Sequence, residues 1–168
     1  VIVFIAGWLS FSYYLYTNQI LVIPITGEIV SFQPIALELS QAELDGNVKA
    51  VILDINSPGG YADSCLEIGA YVKELAEAKP VIAVMEDVCA SGGYYVASFA
   101  TYIFTHSNTV TGGIGVIAFW VDMSKYNEKQ GINVTVWRTG SEKDLGADWR
   151  GPTPEEWKVI NASVNSIF

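Results

Sequence analysis

Three kinds of side chain in this sequence bear on chemistry: a serine set among glycines, a single histidine and seven lysines. Cys89-Ala90-Ser91-Gly92-Gly93 follows an apolar run and leads into Tyr94-Tyr95-Val96-Ala97, so it reads as a junction where a strand turns into a helix. A nucleophilic serine is well placed there. Its hydroxyl is exposed, and the backbone N–H groups that follow point at the oxygen that becomes charged. Glycines after the serine let a substrate carbonyl come close to the backbone. A second donor must come from another loop, and Ser57-Pro58-Gly59-Gly60, at the end of another strand-like run, is the natural candidate. Taken singly, each loop also reads as a simple turn.

The identity of the base is more restrictive. His106 is the sole histidine and lies in Thr105-His106-Ser107-Asn108-Thr109, a polar stretch that reads as surface loop. The Gly-x-Ser-x-Gly elbow fails as well, because Cys89 occupies its first glycine position. A lysine base is the alternative. An ordinary lysine is neutral in roughly one molecule in 2,500 at pH 7, a penalty of about 4.6 kcal/mol. Burial removes much of it, by lowering the pKa about 3–5 units. Lys49, Lys73, Lys79, Lys125, Lys129 and Lys158 lie in stretches that read as helix faces or helix–strand joints, where solvated heads are expected. Lys143 lies instead in Thr139-Gly140-Ser141-Glu142-Lys143-Asp144. If that segment is extended, Glu142 and Asp144 face away from the amine while Ser141 shares its side and hydrogen-bonds it. If it is a turn, Lys143 is a solvated ammonium between two acids. Local sequence leaves both readings open.

The elements that must position these residues alternate. Residues 20–30 and 50–56 are short β-branched runs bounded by turn residues, with a helix expected between them over 35–44. Cys65, Ile68, Gly69, Val72 and Leu75 recur at helical spacing before Pro80, with Asp63 or Ser64 as candidate caps. A strand over 81–85, a helix after Ser91, a turn at 111–113, a helix near 123–130 and a strand over 132–137 complete the series. Strand–helix alternation predicts an α/β domain with parallel strands joined by right-handed crossovers.

Together, INSPGG at 55–60, ASGGYYVAS at 90–98, TGGIGV at 111–116 and TGSEKDLGADWRGPTPEE at 139–156 resemble the signal peptide peptidase A (protease IV) family, serine peptidase family S49. Their order matches too, with Lys143 lying 52 positions after Ser91. The resemblance runs from about Ile20 to Phe168. It implies a ClpP/crotonase-like α/β fold, Ser91 as nucleophile, Lys143 as general base, and an oxyanion hole from the N–H groups of Gly92 and of Gly60 or Gly59. It further implies an amino-terminal membrane anchor, an extracytoplasmic peptidase domain, and ring- or dome-shaped homo-oligomers in which serine and lysine can come from one protomer or from neighbouring ones. Remnant signal peptides and other unstructured segments are the implied substrates, and no cofactor or metal is expected. Thr111-Gly112-Gly113 departs from the Thr-Gly-Ser expected there.

Composition bounds the rest. With 168 residues, one compact domain and one site are expected. The chain is 51% hydrophobic, carries a net charge of -9 and has a mean hydropathy of +0.31. Its scattered basic residues exclude a phosphate-backbone footprint, so nucleic acid is not a partner. Cys65 and Cys89 lack the spacing of a zinc or redox motif. No charged residue occurs from Val1 to Gly27, and the run from Val1 to Tyr16 closes in tyrosines, as an interfacial aromatic belt does. A full span takes roughly 20 apolar residues. The expected organisation is therefore a truncated single-pass cell-membrane anchor over residues 1–18, then a peptidase domain over 19–168 whose carboxy-terminal end is incomplete. Three rival readings fit the sequence less well. Gly113-Ile114-Gly115-Val116-Ile117-Ala118 fits a dinucleotide fingerprint, but Asp122 comes too early for its acidic residue. A non-catalytic scaffold of the same fold would not need both Ser91 and Lys143. A crotonase-type acyl-CoA enzyme would not need a lysine beside a serine.

Overall fold

The computed structural model describes residues 2–167; Val1 and Phe168, the outermost positions of the expected anchor and peptidase segments, lie outside the described residues. The chain forms two compact units, Val1–Ile114 and Gly115–Phe168.

The first unit opens with helix α1 (Ile2–Thr17), which ends as its sequence changes from apolar to polar. Thr17 Oγ1 and Asn18 Nδ2 donate to the carbonyls of Tyr13 (3.0 Å) and Tyr14 (2.8 Å), satisfying acceptors left over in the last turn. Trp8, Phe11, Tyr13, Tyr14 and Tyr16 stand exposed around it. No helix among the described residues is long and apolar enough to cross a membrane.

Next come β1 (Gln19–Thr26), α2 (Gln33–Leu44), β2 (Val48–Ser57), α3 (Ala62–Ala78), β3 (Val81–Ala90), α4 (Gly92–Ala97), β4 (Tyr102–Thr105) and β5 (Val110–Gly112). The strands form one parallel sheet in the order β1-β2-β3-β4, with β5 pairing the far end of β3. The expected α/β fold with a parallel sheet is therefore present.

Alternation decides which face is covered. Ile23, Leu53 and Ala83 share one cross-strand row, and Ile25, Ile55 and Met85 the next. All six are buried and form one core with Leu39 and Ala42 of α2 and Ile68, Val72 and Leu75 of α3. The row before them, Val22, Ile52, Ile82 and Tyr102, lies on the opposite face, where Val22 and Tyr102 stand exposed. Because α2 and α3 present apolar residues three and four apart, each can cover one face of the sheet and no more. Pro34 stands at the start of α2, where its missing N–H costs nothing. Lys79 Nζ donates to the carbonyls of Ala42 (2.5 Å) and Asp45 (2.7 Å), closing the other end. Helix α3 starts after Tyr61 with no side-chain cap, so Asp63 and Ser64 do not serve as caps.

The second unit holds α5 (Ser124–Lys129) and α6 (Pro154–Ile167). The strand expected over 132–137 does not form: that stretch has no regular structure, and Ile132, Val134 and Val136 are exposed. Apolar alternation favours a strand only where a neighbour takes up its backbone groups.

Candidate functional site

Strands β2 and β3 end side by side, with Ser57 paired to Cys89. The loops after both strands therefore emerge at the carboxyl edge of the sheet, where open parallel sheets carry their sites. Three contacts hold this edge. Asn56 Oδ1 accepts from Val88 N–H (3.2 Å), Thr111 Oγ1 donates to Cys89 O (2.7 Å), and Ser91 N–H donates to Gly112 O (2.7 Å). The last two give the Thr111-Gly112-Gly113 turn a structural duty that the sequence reading missed: β5 pins the end of β3 and occupies the N–H of Ser91.

Ser91 has φ 51°, ψ -122°, and is the one non-glycine residue with positive φ among the described residues. Such a conformation costs about 1–3 kcal/mol and persists only where the surroundings impose it. Gly59 has φ +97°, and a Cβ built on it would lie 2.7 Å from Gly92 N, 2.9 Å from Ser91 Cβ and 3.1 Å from Ser91 Oγ. The two glycine loops are thus in contact at the serine, and only a residue without a side chain fits. A Cβ on Gly92 would lie 2.2 Å from Cys65 Sγ, and one on Gly93 would lie 2.9 Å from Ser57 O.

These contacts also sort the candidate donors. Gly59 N–H is taken by Ser57 Oγ at 3.1 Å, with Ser57 fully buried. Gly60 N–H faces the Cys65 thiol, a weak acceptor. Gly92 opens α4, where the N–H has no acceptor within the helix. Burial pushes the Cys65 thiol up, despite the Gly60 N–H beside it, and pushes Cys89 up to about 11. Both cysteines are free and buried, so they act as small core residues rather than nucleophiles. His106 is 69% exposed and lies 3.8 Å from Glu86, on the surface as its sequence suggested.

Lys143 belongs to the second unit, in a turn that spans 141–146. The extended segment on which its relation to Ser141 depended is not there: Leu145 N–H donates to Glu142 O (3.2 Å) and Ala147 N–H to Asp144 O (3.0 Å). Glycines with positive φ flank it, Gly140 at +89° and Gly146 at +87°, and favour turning over extension. Ser141, Glu142 and Lys143 are exposed, whereas Asp144 is turned inward to a cluster of arginines. Arg138 Nη1 bonds Asp144 Oδ1, and Arg150 reaches both oxygens, Nη2 to Oδ1 at 3.0 Å and Nε to Oδ2 at 3.2 Å. Arg150 also forks onto Glu156, Nη1 to Oε2 at 2.7 Å and Nη2 to Oε1 at 2.6 Å. Its guanidinium lies 5.6 Å from the ring of Trp120, whose Nε1 donates to Arg150 O at 2.8 Å.

Residues 73–168 match the description of peptidase family S49. The chain belongs to peptidase family S49. A putative signal peptide peptidase SppA of Enterococcus faecium is 35% identical over 145 residues, 84% of this chain and 41% of that one. A putative protease of Methanocaldococcus jannaschii is 36% identical over 130 residues, 77% of this chain and 42% of that one. The chloroplastic serine protease SPPA of Arabidopsis thaliana is 42% identical over 121 residues, 71% of this chain and 18% of that one. The chain thus spans about two-fifths of the length of the first two relatives. The solved structure of the 1510-N membrane-bound stomatin-specific protease covers 90% of this chain and 63% of its own, with 22% identity and a TM-score of 0.55, and shares the fold.

In the S49 chain, the residues that sequence reasoning missed cluster around α6. Thr153 and Glu156 form a capping box: Thr153 N–H donates to Glu156 Oε2 (2.7 Å) and Glu156 N–H to Thr153 Oγ1 (3.1 Å). The Thr-x-x-Glu spacing was a readable signal for it. The Arg150 fork, then the Thr153 N–H, holds the buried Glu156 carboxyl at about 2, against 4.5 for a free one. A carboxyl whose pKa falls on folding adds stability that is complete above its free value and lost as pH falls through the folded one. Acid titration from pH 5 to pH 2 is therefore expected to melt α6, followed by circular dichroism. A Glu156→Gln variant should be less stable at pH 7 and show a flatter dependence between pH 4.5 and 2.

Proposed function

We propose that this S49 chain is a membrane-associated endopeptidase in which Ser91 attacks the substrate carbonyl and Lys143 is the general base. The observation that carries this reading is the contact of Gly59 with Ser91 and Gly92, which brings a strained serine beside glycine loops carrying backbone donors. A neutral Lys143 amine takes the Ser91 proton as Oγ bonds to the carbonyl carbon. The tetrahedral oxygen is held by the N–H groups of Gly92 and Gly60, the latter exchanging a weak thiol acceptor for an anion. Gly59 N–H is already engaged, so Gly60 is the preferred second donor. Collapse breaks the C–N bond, the leaving amine takes the proton from the Lys143 ammonium, and the acyl group remains on Ser91. Water, deprotonated by the same amine, then attacks the ester carbon, the C–Oγ bond breaks, and Ser91 Oγ takes the proton back from the Lys143 ammonium. Ser141 has an accessory part only if the turn rearranges to bring its hydroxyl to the amine.

Unstructured peptides, remnant signal peptides among them, are the proposed substrates, by likeness to relatives that carry the SppA name. Helix α1, apolar and ringed by exposed aromatics, is proposed as part of a single-pass membrane anchor before an extracytoplasmic peptidase domain. Homo-oligomers in which serine and lysine can be drawn from neighbouring protomers complete the reading. The test pairs turnover of an unstructured peptide with labelling by a serine-directed fluorophosphonate. Expected are cleaved peptide and one adduct, on Ser91, absent from Ser91→Ala. Peptide turnover with Ser91 unlabelled would overturn the reading.

A further inference from the structure

Among the described residues, the hydrogen bonds and ion pairs that tie the turn carrying Lys143 to α6 run through the Arg150 side chain. Arg150 contacts Asp144 through Nε and Nη2 and Glu156 through Nη1 and Nη2, so one planar fork spans two carboxylates that belong to different elements. Glu156 is itself fixed, being 1% exposed and bonded to the backbone of Thr153. Asp144 carries the other end, its backbone oxygen closing the turn onto Ala147 N–H and facing Arg150 Nη2 at 3.4 Å. The Trp120 ring lies against the guanidinium and limits its swing. The charges balance within the cluster: Arg138 and Arg150 against Asp144 and Glu156.

We propose that Arg150 is a positioning residue for Lys143, its fork locking Asp144 to Glu156 so that the turn holds the amine in one place. The proposal rests on Lys143 being the base. A lysine in this position would not substitute, since an ammonium presents a point charge and cannot span two carboxylates in a plane. Misplacing a reacting group by about 1 Å costs up to about 10²-fold in rate while leaving substrate binding nearly intact. The effect of losing Arg150 should therefore fall on kcat.

The test measures kcat and KM on an unstructured peptide for wild type, Arg150→Met, Arg150→Lys, Asp144→Asn and Lys143→Ala, each checked for folding by circular dichroism. Expected are a fall in kcat of about 10- to 100-fold for Arg150→Met, with KM changed less than about twofold, and no restoration in Arg150→Lys. Asp144→Asn leaves the Arg150–Glu156 pair in place, and its kcat should fall in the same direction even if Arg150→Met does not fold. Folded Arg150 or Asp144 variants with wild-type kcat beside an inactive Lys143→Ala would overturn the positioning role alone. Wild-type turnover by Lys143→Ala would overturn the base assignment beneath it.

Discussion

A Ser91→Ala/Lys143→Ala double variant is expected to cleave peptide no more slowly than either single variant, with all three roughly 10⁴- to 10⁶-fold below wild type in kcat. The reason is that the pair acts in one step. A neutral amine has no proton to take once the Ser91 hydroxyl is gone, and the hydroxyl is a weak nucleophile once the amine is gone. What survives is binding and the backbone donors. Single-turnover rates on one peptide decide the matter. Losses that multiply would mean that the two residues serve separate steps, and would separate Lys143 from the serine chemistry.

Gly60→Ala should be the most damaging change that removes no functional group. An added Cβ would meet Ile29 O at 2.1 Å and Ile29 C and N at 2.6 Å, all backbone atoms that cannot swing aside. The loop must shift, breaking the Ile29–Gly60 bridge, in which Ile29 N–H donates to Gly59 O and Tyr61 N–H to Ile29 O, both at 2.9 Å. Overpacking of this kind costs about 1–3 kcal/mol of stability. Removing one oxyanion donor costs about 10²- to 10³-fold in kcat, and that loss is expected here with the protein still folded below its lowered Tm. Gly46→Ala meets nothing within 4 Å and is the control. If Gly60→Ala lowers Tm while leaving kcat untouched, Gly60 is structural and the second donor lies elsewhere.

Much of the first unit was readable before any coordinates. β-branched runs such as Val51-Ile52-Leu53 bounded by Gly and Pro, and a helical stripe from Cys65 to Leu75, encode strand and helix in their own periods. The glycine loops were legible as a pair: Gly59, Gly60, Gly92 and Gly93 stand at the ends of two apolar runs, although either loop alone reads as a simple turn. The extent of β3 beyond Met85 was not, because Glu86 and Asp87 interrupt the pattern and the strand continues by pairing with β5 and, at Cys89, with Ser57 of β2. The strand over 132–137 failed in the opposite way, a correct pattern with no neighbour to pair it. The Lys143 segment stayed open between extended and turned, since the positive φ of Gly140 and Gly146 is a choice glycine allows but does not announce.

The sequence by itself determined the α/β class, the family and the short roll of residues able to do acyl transfer, because apolar period, glycine placement and a lone histidine are local facts. Only the tertiary structure decided which N–H groups are free at the serine, since Ser57 Oγ takes that of Gly59 within its own loop and Gly112 O takes that of Ser91 from β5. It also decided which carboxylates Arg150 would bind. Both are competitions among polar groups, settled by which of them the folded backbone brings within hydrogen-bond reach.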